Sequence, residues 1–407
     1  MDPFAYLKEK GFVRACQVLW RYKIPKMQVA IIAWLTRGRP LEDTLIIESH
    51  DDFDCNGGAL YEWLIENGYN ERIRIVWRLY HEAPSKLPRN VSCVPVYGPS
   101  WKKAWATCLA KWMTADCTVA DKVRHDQISV YMTHAPFSLK ETKGLVEVPP
   151  SVDYVLGLTP EMDEYFVEEC GIDRNYTEIL HLGYPDLDRL LNKAHSRDFS
   201  SSGLFEKKII LWMPTFRKGV AYARDDSDAS YPYGIPLINS RKQLEELNEL
   251  LRKYNLNLVV KLHPKQDVTS VNKEDSSNVF LLTGSSVKNV TFDVYDLMLE
   301  ASALISDYSG AVYQFLVLNR PIAFVLSDLD KYKIGLIDHA EDYMPGHKIV
   351  TYDELFAFVK DIAEGVDRFP GERKKLIKKL YGGNRPGSCE RLVHFLGIPA
   401  CNEIGNG

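Results

Sequence analysis

Short apolar runs of strand length alternate with helical patterns along most of this chain, and that alternation restricts it to one architectural class. After Pro40, strands are predicted at residues 44–48, 73–79, 94–97, 117–120, 128–133, 154–158 and 179–182. Helical spacing separates them, as at 60–67, 101–113 and 161–169. Most of the strands are continuous and β-branched instead of alternating polar with apolar. A strand buried on both faces of a parallel sheet reads that way. A second series follows, with strands at 209–213, 258–262, 279–282, 303–305, 322–326 and 349–352. Its helices are predicted at 241–254, 294–300, 312–318 and 353–363. Between the series, residues 192–208 include Ser200, Ser201, Ser202 and Gly203, lack an apolar face and read as a linker.

The expected fold class is therefore α/β, with two Rossmann-like domains whose parallel sheets face a central cleft. The boundaries fall at 1–40 for an N-terminal segment, 41–191 for the first domain, 192–208 for the linker and 209–407 for the second domain with its final helix. Two domains also suit 407 residues, more than one core usually organises.

Charge excludes one large class. The formal net charge of −5 lacks the concentrated basic surface that nucleic-acid phosphates require. The eight cysteines contain no C-x-x-C pair, so they read as reduced thiols and not as a zinc site or disulfide framework. The apolar stretch from Val29 to Leu35 is far shorter than the ~20 residues that span a bilayer. Residues 1–40 nevertheless carry Lys8, Lys10, Arg14, Arg21, Lys23, Lys26, Arg37 and Arg39 against Asp2 and Glu9, which is +8 − 2 = +6. Trp20 and Trp34 are interleaved with these bases. Such a segment is expected to lie on an anionic membrane surface, making the protein cytoplasmic and peripheral on the inner face. A helical pair docked on the first domain is the plainer alternative.

Ligands of open α/β sheets bind beyond the carboxyl ends of the strands. Three polar clusters lie there. His134 follows the strand at 128–133, with Pro136 disfavouring continuation, and a histidine on such a turn can act as general base or simply cap the turn. Thr215 and Arg217 follow one strand of the second series, and Lys261, His263 and Pro264 follow another. These offer a guanidinium fork, an ammonium and an imidazole to a phosphate. Ser306, Asp307, Ser309 and Gly310 form a turn into a helix, with Ser309 as its expected cap and Gly310 admitting close approach of another group.

The stretches T-H-A-P-F-S-L-K, H-L-G-Y-P-D-L-D-R-L, I-L-W-M-P-T-F-R, V-V-K-L-H-P-K, L-I-S-D-Y-S-G-A-V-Y-Q-F and G-S-C-E-R occur in this order. With T-L-I-I-E-S and G-G-A-L-Y-E-W-L they are spread from residue 44 to residue 391. In them the chain resembles the CDP-glycerol glycerophosphotransferases of teichoic-acid synthesis. The resemblance implies a GT-B fold, an acceptor on the N-terminal domain and a CDP-linked donor on the C-terminal one. It implies His134 as base, although His134-Ala135-Pro136-Phe137 stands where the family has an H-G-T-P-like turn. It implies donor phosphates held by Arg217, Lys261, His263, Ser306, Asp307, Ser309 and the Gly310 backbone. CDP-glycerol or CDP-ribitol would be the donor and a lipid-linked or polymer hydroxyl the acceptor. No tightly bound cofactor is expected and no metal, Mg²⁺ included; the acidic run Asp51, Asp52 and Asp54 reads as a solvated turn. Two other functions stay open: a GT-B sugar-nucleotide transferase or epimerase, and a non-catalytic nucleotide-binding scaffold.

Overall fold

The computed structural model describes residues 16–17, 19–117, 122–144, 146–192, 203–217, 225–229, 231–263, 266, 276–283 and 293–400. The first sheet has seven strands, β1 (Glu42–Glu48), β2 (Arg74–Leu79), β3 (Val91–Pro95), β4 (Ala110–Ala115), β5 (Ile128–Tyr131), β6 (Tyr154–Leu156) and β7 (Glu178–Leu180), in the order β3-β2-β1-β4-β5-β6-β7. The second has six, β8 (Lys208–Trp212), β9 (Leu256–Lys261), β10 (Val279–Leu282), β11 (Ala301–Ser306), β12 (Ile322–Val325) and β13 (His347–Ile349), in the order β10-β9-β8-β11-β12-β13. Every pairing in both is parallel. The central strands carry the longest apolar runs because helices cover both their faces. Leu45, Ile46 and Ile47 of β1 and Ile209–Trp212 of β8 are at most 1% exposed.

Each sheet builds outward in one direction and then reverses, between β1 and β4 in the first and between β8 and β11 in the second. Those reversal points are where a doubly wound sheet opens a crevice at its carboxyl edge.

The chain forms two compact units whose membership is not sequential: 1–134, 143–188 and 387–407 in the first, 135–142 and 189–386 in the second. Two corrections follow. The final helix, Ser388–Phe395, belongs to the first unit and not to the second domain. Asp188 accepts from the backbone N–H groups of Gly387, Ser388 and Cys389 at 2.9, 3.0 and 2.9 Å, a carboxylate on a helix N-terminus. The buried indole of Trp112 donates to Leu396 O at 2.7 Å. Gly183, at φ 79, allows this contact, since a Cβ there would lie 2.5 Å from Ser388 Oγ. The other correction concerns 135–142, the eight residues after His134, which pack in the second unit and are taken up below. The linker expected at 192–208 falls largely outside the described residues, with β8 starting at Lys208.

Secondary structure departs from expectation most around residue 110. The helix ends at Leu109, and Ala110–Ala115 is a central strand; of the strand predicted at 117–120, residues 118–120 lie outside the described residues. Trp101, Trp105, Leu109 and Trp112 imitate a helical stripe. Burial on both faces of the sheet claims Trp112 and Met113 instead. The helix predicted at 60–67 starts earlier, at Cys55, because Asp54 caps it through Cys55 N at 2.7 Å and carries it through Gly57 and Gly58.

Candidate functional site

In the second unit the reversal point brings the ends of β8 and β11 together. Four of the residues singled out there form one buried brace. Asp307 accepts from Thr215 N at 3.0 Å and from the Thr215 hydroxyl, and forms an ion pair with Arg217 Nη1 at 2.9 Å. Arg217 also donates Nη1 to Thr215 O at 2.8 Å, and Nε and Nη2 to the two carboxylate oxygens of Asp328 at 2.7 and 3.0 Å. Three of the five guanidinium N–H bonds are thus engaged inside the protein, with Asp307 paired to Nη1 besides. Burial pulls this guanidinium down, and Asp307 and Asp328 outweigh it, holding Arg217 above its ordinary range. Its carbon also lies 5.8 and 5.7 Å from the ring centres of Tyr308 and Tyr332. Ser306 donates to Met213 O at 2.6 Å.

Arg217, Thr215, Ser306 and Asp307, expected at the donor phosphates, thus have protein partners in this structure. A buried cation needs carboxylates more than it needs a mobile ligand, and Asp328 supplies one from 111 residues away. Asp328 was not legible as a partner; its only sequence signal is an acidic residue just past a buried strand.

Lys261, His263, Ser309 and Gly310 are different: all four are partly exposed at the same sheet edge. The His263 ring lies 5.0 Å from that of Phe216, and Gln266 accepts from Arg217 N at 2.9 Å, so the ends of β8 and β9 adjoin. The helix at Ala311–Leu316 is capped by Gly310 and not by Ser309, whose hydroxyl accepts from Ala311 N at 3.3 Å. A Cβ at Gly310 would stand 2.9 Å from Ala135 Cβ and 3.1 Å from Phe137 O. The close approach expected at Gly310 is therefore made by the segment that follows His134. Phe137 fixes that segment by packing its ring 4.6 Å from Tyr313 and 4.8 Å from Tyr343. Leu139 O accepts from Ile337 N at 2.9 Å.

In the first unit His134 lies exposed on the turn beyond β5. Thr133 before it has φ 58, unusual for a β-branched residue. Asn56, fully buried, donates to Thr133 O at 2.9 Å and accepts from Asp186 N at 3.1 Å, locking the turn to two helices. The ring of His50, beyond β1, stacks on that of His134, centroids 5.1 Å apart and planes at 26°. Asp116, beyond β4, is wholly buried. Burial pushes its carboxyl well above the usual range, with Asp186, Asp54 and Glu48 adding to this and the Gly57 N–H opposing it. His50, Asn56 and Asp116 were missed because each looks like an ordinary loop or cap residue in the sequence.

The acidic run has structural work. Asp54 caps its helix, while Asp52 accepts from Tyr80 N and His81 N at 2.7 and 2.8 Å. Among the described residues, Asp51, Asp52 and His81 are close enough to hold a cation. The Asp52 carboxylate, however, already joins two loops.

A family model for CDP-glycerol:poly(glycerophosphate) glycerophosphotransferases matches residues 32–396. The chain belongs to this family. A glycerophosphotransferase relative from Staphylococcus aureus (strain NCTC 8325 / PS 47), a teichoic acid glycerol-phosphate transferase, is 26% identical over 81% of this chain and 85% of its own. A teichoic acid glycerol-phosphate primase of Bacillus subtilis (strain 168) is 30% identical over 53% of this chain, and the match spans about half, 51%, of that primase. The solved wall teichoic acid polymerase TagF superposes with a TM-score of 0.71 at 18% identity, covering 92% of this chain and 93% of that one. That likeness makes the fold of this glycerophosphotransferase GT-B, as the resemblance implied.

Proposed function

We propose that this glycerophosphotransferase moves glycerol phosphate from CDP-glycerol to a hydroxyl of a lipid-linked or polymer acceptor in teichoic-acid synthesis. His134 takes the proton of the acceptor hydroxyl as its oxygen attacks the β-phosphorus of the donor. The bond from that phosphorus to the bridging oxygen breaks, CMP leaves, and a phosphodiester remains on the acceptor. Phosphoryl transfer is governed by charge, so the donor phosphates need fixed cations and donors. The observation that carries the reading is the division of labour in the second unit. Arg217, Asp307, Asp328 and Thr215 are locked together, while Lys261, His263, Ser309 and Gly310 are partly exposed at the sheet edge. In this reading Arg217 and Asp307 hold the site's shape and the accessible four meet the pyrophosphate.

A ligand that binds only the native state raises its melting temperature by mass action. CDP-glycerol at about 100 times its dissociation constant adds about 2.7 kcal/mol, a shift of several degrees. Thermal unfolding with CDP-glycerol, CDP-ribitol, CMP, UDP and a UDP-sugar checks this. A response to UDP ligands and none to cytidine nucleotides would replace the proposal with a sugar-nucleotide enzyme; a response to CDP-glycerol without turnover on any acceptor favours the scaffold.

We further propose that the protein attaches peripherally to the anionic inner face of the membrane. The helix Ile24–Thr36 docks through Ile32 against Ala104 and Cys108. It leaves Met27, Ile31, Trp34 and Leu35 outward, beside exposed Trp101 and Trp105. Arg37 lies 5.8 Å from the Trp34 ring centre and Arg39 5.2 Å from that of Trp105, placing cations among the apolar groups. Among the described residues no helix is long and apolar enough to cross a membrane. Lys8, Lys10 and Arg14 lie outside the described residues. The variant Trp34→Ser/Trp101→Ser/Trp105→Ser is expected to lose most co-sedimentation with phosphatidylglycerol-containing vesicles. An unchanged bound fraction would remove the membrane role from this face.

A further inference from the structure

We infer that His50 is a positioning residue for His134, fixing the plane of the base by stacking on it; this rests on the assignment of His134 proposed above. A histidine exposed on a turn has several rotamers open to it, and a proton acceptor is effective in only a narrow range of them. His134 is such a residue, and the half-buried ring of His50 covers one of its faces, with centroids 5.1 Å apart and planes 26° from parallel.

Both loops are built rigidly enough for the stack to act as a restraint. Beyond β1, the Ser49 hydroxyl donates to Asp51 O and also accepts from Asp54 N at 3.3 Å. Phe53 and Cys55 hold φ 61 and 50, a left-handed region that non-glycine residues keep only where the surroundings force it. The Phe53 ring is wedged 4.6 Å from Trp77 and 5.6 Å from Tyr61. Beyond β5, Thr133 holds φ 58, and its carbonyl is clasped by Asn56, the residue that follows Cys55. One buried asparagine thus references the loop of His134 to the helix that ends the loop of His50.

A planar uncharged ring, and not simply any side chain, suits this position. A planar neutral ring can lie on His134 both before and after it takes a proton, whereas a fixed cation would oppose that proton. The role therefore belongs to the ring's plane, and an aromatic replacement should keep it.

The test is steady-state transfer from CDP-glycerol by His50→Ala, His50→Phe, His134→Ala and the double alanine variant, each with its melting temperature. His50→Ala is expected to lower kcat about 10- to 100-fold, the scale of a misplaced reacting group, with KM for CDP-glycerol within about twofold. His50→Phe is expected to recover most of that loss. The double variant is expected to be no slower than His134→Ala alone, since a residue acting only through another adds nothing once it is gone. An unchanged kcat in His50→Ala overturns the inference, as does His50→Phe failing to recover or a double variant slower than His134→Ala. Should His134→Ala turn over normally, the base assignment falls and the inference falls with it. Should His134→Ala be inactive and His50→Ala normal, only the inference falls.

Discussion

His134→Ala should turn over CDP-glycerol about 10²- to 10⁴-fold more slowly than the parent protein, the usual cost of a lost general base. Its melting temperature and its stabilisation by CDP-glycerol should stay nearly unchanged. The reasoning is local. His134 is exposed at the end of a turn whose shape is set by others: Asn56 clasps the Thr133 carbonyl, and Phe137 anchors the following segment between Tyr313 and Tyr343. Removing an exposed imidazole leaves those anchors intact. No donor-phosphate contact is assigned to it either, so binding and chemistry should separate. Rate and thermal shift measured on the same preparation decide the matter. Normal turnover removes His134 from the reaction, and loss of the nucleotide shift makes it a binding group.

Arg217→Ala should act in the opposite way, on the fold before the chemistry. Deleting one partner of a buried ion pair costs about 3–5 kcal/mol, because the remaining charge stays buried without compensation. Here two carboxylates would be stranded, Asp307 and Asp328, both at most 2% exposed. For a unit of this size the loss corresponds to a fall of roughly 6–20 °C in melting temperature. Arg217→Lys should rescue little, because an ammonium cannot span two carboxylates and the Thr215 carbonyl in one plane. Thermal or urea unfolding measures the effect. A variant that keeps its stability and loses only the CDP-glycerol response would return Arg217 to the phosphates and break the division of labour proposed for the second unit.

The paired expectations expose how unevenly the site could be read from residue order. P-T-F-R, K-L-H-P and S-D-Y-S-G each follow an apolar run, so their place at strand ends was legible, and the sheet topology joins those ends. What each side chain does there was not. Arg217 and Lys261 look alike in a sequence as cations after strands. One is buried against Asp328 and the other is left at the edge, a difference set by a residue on β12's far loop. The tryptophans misled for a related reason. Trp101, Trp105 and Trp112 share a helical spacing, yet only the first two lie on the helix, because the sheet needed a buried ring where Trp112 stands.

The sequence by itself determined the α/β class, both parallel sheets, the strand-end motifs and the family, since all of these depend on local apolar periodicity and residue order. Only the tertiary structure decided which cations are spent internally, that the final helix returns to the first unit, and that His50 lies on His134. Those outcomes depend on pairings between residues far apart in the chain, whose charges and rings find one another only once each unit has folded.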